Sequence, residues 1–119
     1  MTKKTKCLIT GDDIFATQPE RLRIGIKKGV GNSIIIKPDQ VGLVSKTLET
    51  IRIAKKANYK TVVSHRSRDT TDSFIADLAV GTGSTIIKCG IHGKEREAKL
   101  NRLIEIWNMV KKPEMAKLS

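Results

Sequence analysis

The chain reads as a parallel α/β protein assembled from successive strand–helix units, and three observations lead there. Four short apolar runs, Cys7-Leu8-Ile9-Thr10, Ile34-Ile35-Ile36, Val62-Val63-Ser64 and Ile86-Ile87, each stop at ionisable or hydrogen-bonding residues. The stops are Gly11-Asp12, Lys37, His65-Arg66-Ser67 and Lys88, so positions 12, 37, 65 and 88 recur at steps of 25, 28 and 23. A helix-length amphipathic segment follows each run. A strand buried on both faces of a parallel sheet is a brief, continuous Ile/Val run, and its C-terminal end is where such folds carry their chemistry. The four end groups are therefore expected to cluster at one face.

Taken in order, strands are predicted near residues 6–11, 33–37, 61–65 and 85–88, joined by right-handed crossovers. Thr17-Gln18-Pro19-Glu20 has the S/T-x-x-E form of a capping box with proline in the first turn, which predicts a helix from Pro19 to Lys28. Leu22 and Ile26 give it an apolar face, and Gly29 and Gly31 end it. Val44, Leu48 and Ile51 lie at helical spacing in the second helix, with Asn58 as its stop. Phe74, Ile75 and Leu78 mark a third helix ending near Gly81. Leu100, Leu103, Ile104 and Trp107 mark a fourth, with Pro113 beyond its end. All four stripes are expected to face the core. Gly81-Thr82-Gly83-Ser84-Thr85 leads from a helix into a strand, the reverse of a phosphate-binding loop, and is read as a helix C-cap and turn.

At 119 residues and 39% hydrophobic content the chain has the size of one domain, residues 1–119. No apolar run approaches the roughly 20 residues that a membrane span needs, so a cytoplasmic protein is expected. Cys7 and Cys89 lie far apart, form no C-x-x-C pair and have no neighbouring His/Cys cluster, which favours reduced structural thiols. The formal charge of +11 would suit a nucleic-acid binder, but Lys+Arg outnumber Asp+Glu by 8 to 3, 7 to 5 and 8 to 4 over residues 1–37, 38–87 and 88–119. An excess spread in this way is no binding stripe. Phe15, Tyr59, Phe74 and Trp107 are not interleaved with basic residues as a base-stacking platform requires. Neither nucleic acid nor membrane is expected as a partner; an anionic small molecule is.

The strand-end set of Asp12, Lys37, His65-Arg66-Ser67 and Lys88 offers a carboxylate, two ammonium groups, a guanidinium and a hydroxyl. A planar guanidinium beside a hydroxyl suits a phosphate or carboxylate. A lysine held among other cations has a depressed pKa and can serve as a base.

The stretches Gly11-Asp12-Asp13-Ile14-Phe15-Ala16-Thr17, Ile36-Lys37-Pro38-Asp39-Gln40-Val41-Gly42, Ser64-His65-Arg66-Ser67 and Phe74-Ile75-Ala76-Asp77-Leu78-Ala79-Val80-Gly81 closely resemble the C-terminal part of enolase. The resemblance covers nearly the whole chain and implies half of a TIM-like barrel. It also implies a magnesium-dependent lyase, phosphopyruvate hydratase, acting in glycolysis on 2-phosphoglycerate and phosphoenolpyruvate. By that resemblance Asp12 matches a magnesium ligand, Lys37 the base that takes the C2 proton, His65, Arg66 and Ser67 the substrate-binding loop, and Lys88 a contact to the substrate carboxylate. The sequence departs from the family pattern at Arg68-Asp69, where Gly-Glu is usual, at Pro38-Asp39 after Lys37, and over Cys89–Arg96. In enolases an N-terminal domain and first half-barrel supply two further acidic metal ligands and the acid catalyst. The implied partner is accordingly a complementary N-terminal enolase half, or a second copy through unpaired sheet edges. A non-catalytic enolase-like binding or assembly module is the alternative.

Overall fold

In the computed structural model, which describes residues 6–118, the chain forms two compact units, one up to Val62 and one from Val63 onward. The first unit holds β1 (Thr10–Gly11), α1 (Pro19–Lys27), β2 (Ser33–Ile36), α2 (Pro38–Val41) and α3 (Val44–Lys56), and β3 (Lys60–Ser64) begins in it. The second holds the end of β3, then α4 (Phe74–Gly81), β4 (Ile86–Lys88) and α5 (Lys94–Met109). Hydrogen-bonded neighbours run in chain order, β1 beside β2, β2 beside β3 and β3 beside β4. Pairing of β1 with β2 is parallel, with Thr10 opposite Ser33. Strand starts lie beside strand starts, since Asn32 N–H donates to Ile9 O and Lys60 N–H to Asn32 O. Strand ends lie beside strand ends, since His65 N–H donates to Lys88 O. The parallel α/β reading holds, with one crossover helix or more between each pair of strands.

Three of the four predicted helix stops share one geometry. After α1, α3 and α4 the chain turns through a left-handed residue, Gly29, Asn58 and Gly83 at φ of 64, 59 and 58°. In each case the next amide reaches back five residues: Val30 N–H to Gly25 O, Tyr59 N–H to Ala54 O and Ser84 N–H to Ala79 O. This is the Schellman closure, which satisfies helix carbonyls that would otherwise be orphaned before a strand. Asn58 and the Gly81-Thr82-Gly83 turn thus do what their sequence position suggested.

The core of the first unit is built on Phe15, which is fully buried. Its ring sits in a slot made by two glycines: a Cβ on Gly11 or on Gly25 would lie 2.3 Å from a ring carbon. Tyr59 packs edge-on, with ring centroids 6.4 Å apart, and its hydroxyl donates to Val30 O. Burial pushes the Tyr59 phenol above its ordinary pKa. α1 packs on α3 and carries the Arg23–Glu49 ion pair across.

Five expectations need correction. β1 covers only Thr10–Gly11 because the Asn32 side chain stands in for the ladder before it, accepting from Ile9 N–H and donating to Cys7 O. Thr17 does not cap α1; the N-cap is Gln18, without a side-chain bond, and Thr17 sits at φ 56° with its hydroxyl engaged elsewhere. A short helix, α2, starts on Pro38 immediately after Lys37, where proline needs no amide partner. On α3 the buried face is Thr47, Thr50, Ile51 and Ala54 rather than Val44 and Leu48. Both threonines tolerate burial because their hydroxyls bond to carbonyls one turn earlier, Leu43 O and Lys46 O. On α5 the fully buried residue is Lys99, while Ile104 and Trp107 are 59% and 47% exposed.

Candidate functional site

In the first unit, Asp12 follows β1 and Lys37 follows β2, so each stands at the C-terminal end of its strand. Lys37 is extended, as the residue before a proline must be, at φ −122° and ψ 101°. Its backbone N–H donates to Thr17 Oγ1 at 2.9 Å, and that hydroxyl donates onward to Gln40 Oε1 at 2.8 Å. Thr17 O in turn accepts from Thr50 Oγ1 at 2.8 Å, so one buried threonine ties the Asp12 loop, the start of α2 and α3 together. On the other side, Phe15 N–H and Ala16 N–H both donate to Asp12 O. With both backbones fixed, Lys37 Nζ meets Asp12 Oδ1 at 2.7 Å and Oδ2 at 2.9 Å. The neighbour of Lys37 within its unit is thus a carboxylate, where the sequence had suggested other cations.

The metal reading of Asp12 can be set against this geometry. A tight magnesium site needs several oxygen ligands in octahedral order. Among the described residues no group of three or more His, Cys, Asp or Glu is placed to hold an ion, and both oxygens of Asp12 already face an ammonium. The residues present do not make a magnesium site by themselves.

In the second unit, β3 delivers His65 and β4 ends on Lys88, and the His65 N–H to Lys88 O bond at 3.1 Å brings those two strand ends together. Arg66, Ser67 and Lys88 are exposed, and His65 is half-buried. His65 Nδ1 lies 3.0 Å from Asp69 Oδ2. Asp69 Oδ1 accepts from Thr70 N–H at 2.9 Å and from Lys99 Nζ at 2.8 Å. Lys99 spends its other two donors on Glu95 O, at 2.8 Å, and on Thr70 O. Burial alone would raise the Asp69 carboxyl; hydrogen bonds from Lys99, His65 and the Thr70 amide outweigh it and leave the group below the usual carboxylate range. Burial likewise pushes up the thiol of Cys89, next in the chain after Lys88. α4 is opened by Asp72, whose Oδ1 accepts from Phe74 N–H, and it is tied to α5 by a forked Arg102–Asp77 pair. Arg102 and its hydrogen bonds hold the Asp77 carboxyl below its ordinary value.

Thr17, Gln40, Asp69 and Lys99 were not identified from sequence as parts of the site. Thr17 matched a commoner pattern, the helix cap. Lys99 left one trace: it lies four and seven residues before Leu103 and Ile106, on the face where a lysine is out of place unless paired.

Comparison with known proteins places the chain. A family model described as "Enolase, C-terminal TIM barrel domain" matches residues 1–116. The chain belongs to the enolase family. It is 47% identical over 115 residues to an enolase of Archaeoglobus fulgidus, covering 97% of this chain and 29% of that protein. Against enolases of Methanosphaera stadtmanae and Picrophilus torridus the identities are 52% over 112 residues and 54% over 101. Those two alignments cover 94% and 85% of this chain but 27% and 25% of the relatives. The chain therefore spans under a third of the length of these enolases. Its parallel strand–helix units agree with part of the TIM barrel that the family description names.

Proposed function

We propose that residues 1–119 act as one half-barrel domain carrying the cationic side of an enolase-type active site, in a cytoplasmic lyase that interconverts 2-phosphoglycerate and phosphoenolpyruvate. The observation that carries this reading is the placement of Lys37: it stands at a strand end beside Asp12, its backbone fixed through its own amide by Thr17. In the proposed reaction Lys37 takes the C2 proton as a neutral amine, after releasing to solvent the proton that its ammonium holds against Asp12. Charge then builds on the carboxylate beside that carbon, and fixed cations are what such a transition state needs. Lys88 meets the substrate carboxylate, and His65, Arg66 and Ser67 bind the anion; exposure of Arg66, Ser67 and Lys88 at strand ends is in keeping with those roles.

Magnesium belongs to the proposed enzyme through its family, with Asp12 as one ligand among several. Since no group of three or more candidate ligands is placed together among the described residues, the other ligands and the acid catalyst come from a complementary enolase half. Exposed apolar side chains favour such an association: Trp107 on α5, with Val110, Met115 and Leu118 after it, borders a groove of about 760 Å³ in the second unit, and Ile104 on α5 is exposed as well. None of His65, Arg66, Ser67 and Lys88 lines that groove.

Two measurements test the reading. Calorimetric titration of the chain alone with magnesium chloride should give only weak binding, and micromolar affinity would contradict a shared site. Added to a polypeptide covering the remaining length of the Archaeoglobus fulgidus enolase, the chain should produce phosphoenolpyruvate from 2-phosphoglycerate, which neither piece produces alone. A folded complex of the two without turnover would count against it.

A further inference from the structure

We propose that Lys99, acting through Asp69, is a positioning residue that shapes the His65–Thr70 loop to receive the phosphate or carboxylate oxygens of an anion on Arg66 and Ser67. The proposal rests on the anion-binding role given to that loop above and names what sets its geometry.

A lysine is almost never fully buried unless paired, yet Lys99 is 1% exposed. All three of its donors are used, on Asp69 Oδ1, Thr70 O and Glu95 O. Two of those acceptors belong to the loop and one to α5, so the ammonium joins the loop to the helix. Asp69 is equally committed. Its Oδ1 takes Lys99 and the Thr70 amide, and its Oδ2 faces His65 Nδ1. The third anchor is the His65 amide on Lys88 O. Arg66, Ser67 and Arg68, which lie between these anchors, are exposed.

A plain staple between α5 and a loop would not need a charge. Replacing a buried ion pair by apolar groups of similar volume is often neutral or stabilising, whereas removing one partner is costly. What the charged pair supplies, and an apolar pair does not, is direction: three acceptors at fixed angles around one nitrogen and a carboxylate shared between two cationic or potentially cationic groups. The charged and titratable groups facing Asp69 are His65 from the end of β3 and Lys99 from α5, with the buried Cys89 thiol after β4 also within electrostatic reach.

The test compares the full-length chain with Lys99→Met and with Lys99→Met/Asp69→Asn, reading amide hydrogen exchange, the urea midpoint and binding of inorganic phosphate. Lys99→Met should lower the midpoint and speed exchange at residues 66–70 roughly 10- to 100-fold, a local opening with α4 left protected. The double variant removes the stranded carboxylate, so its midpoint should return toward that of the parent chain. Its loop should nonetheless stay fast-exchanging, and its phosphate affinity should stay roughly tenfold weaker, because direction and not bulk was lost. Loop protection and phosphate binding that recover along with the midpoint would overturn the proposal and leave Lys99 as a staple. If Lys99→Met does not fold, Asp69→Asn is read in its place, with unchanged exchange at residues 66–70 as the overturning result. A parent chain with no phosphate-dependent shift at Arg66 or Ser67 defeats the anion-binding reading itself, and with it the purpose assigned to the loop.

Discussion

In the complemented enzyme, Lys37→Ala should lower turnover by roughly 10²–10⁴, the usual cost of removing a general base. Loss of substrate binding should be small, because Arg66, Ser67 and Lys88 lie elsewhere on the chain and are untouched by the change. The backbone that presents position 37 should also survive, since the bond to Thr17 Oγ1 comes from the Lys37 amide and not from its side chain. Lys88→Ala should behave differently. Its charge acts on the ground-state carboxylate and on the charge that develops from it, so both KM and kcat should suffer. Steady-state kinetics on the two variants separates a base from a binding cation.

The other large effect is on stability. Phe15→Ala should cost about 3–5 kcal/mol, the range for deleting a buried aromatic ring. The loss should fall near the top of that range. Two glycines, Gly11 and Gly25, leave their Cβ positions empty for this ring, and neither can supply atoms to fill the void. Phe15 N–H also holds Asp12 O, so the loop that aims the Asp12 carboxylate loosens with the core. Urea unfolding of the chain reads the destabilisation directly; a change under 1 kcal/mol would show that the slot closes on itself.

The strand ends were legible because the signal is simple. Ile34-Ile35-Ile36, Val62-Val63 and Ile86-Ile87 are short β-branched runs of the kind that parallel strands buried on both faces show, and Lys37, His65 and Lys88 then stand where those strands stop. Helix ends were legible for a similar reason, since Asn58 and the glycines near residues 29 and 83 occupy turns that other side chains resist. What escaped reading was polar burial. Thr47 and Thr50 face inward on α3 because each hydroxyl finds a carbonyl within its own helix, a satisfaction invisible to hydrophobic periodicity. Thr17 fits a capping pattern by spacing alone, but its hydroxyl serves Lys37 and Gln40, 20 and 23 positions away. Lys99 escaped because its partners, Asp69 and Thr70, lie about 30 residues earlier, and only the fold brings them together. The stripe on α5 was misjudged at Ile104 and Trp107, where the described residues offer only partial cover.

The central claim is that Lys37 is the base of an enolase-type half-site, and exchange of the C2 proton of 2-phosphoglycerate with solvent tests it most directly. Exchange reports proton abstraction without waiting for loss of water, so it isolates this one residue from the acid catalyst in the complementary half. The complemented enzyme should exchange that proton; the chain alone should not, and Lys37→Ala in the complemented enzyme should abolish it with substrate still bound. Exchange by Lys37→Ala at the unmutated rate would contradict the assignment and leave the chain sharing a fold with enolases but not their mechanism.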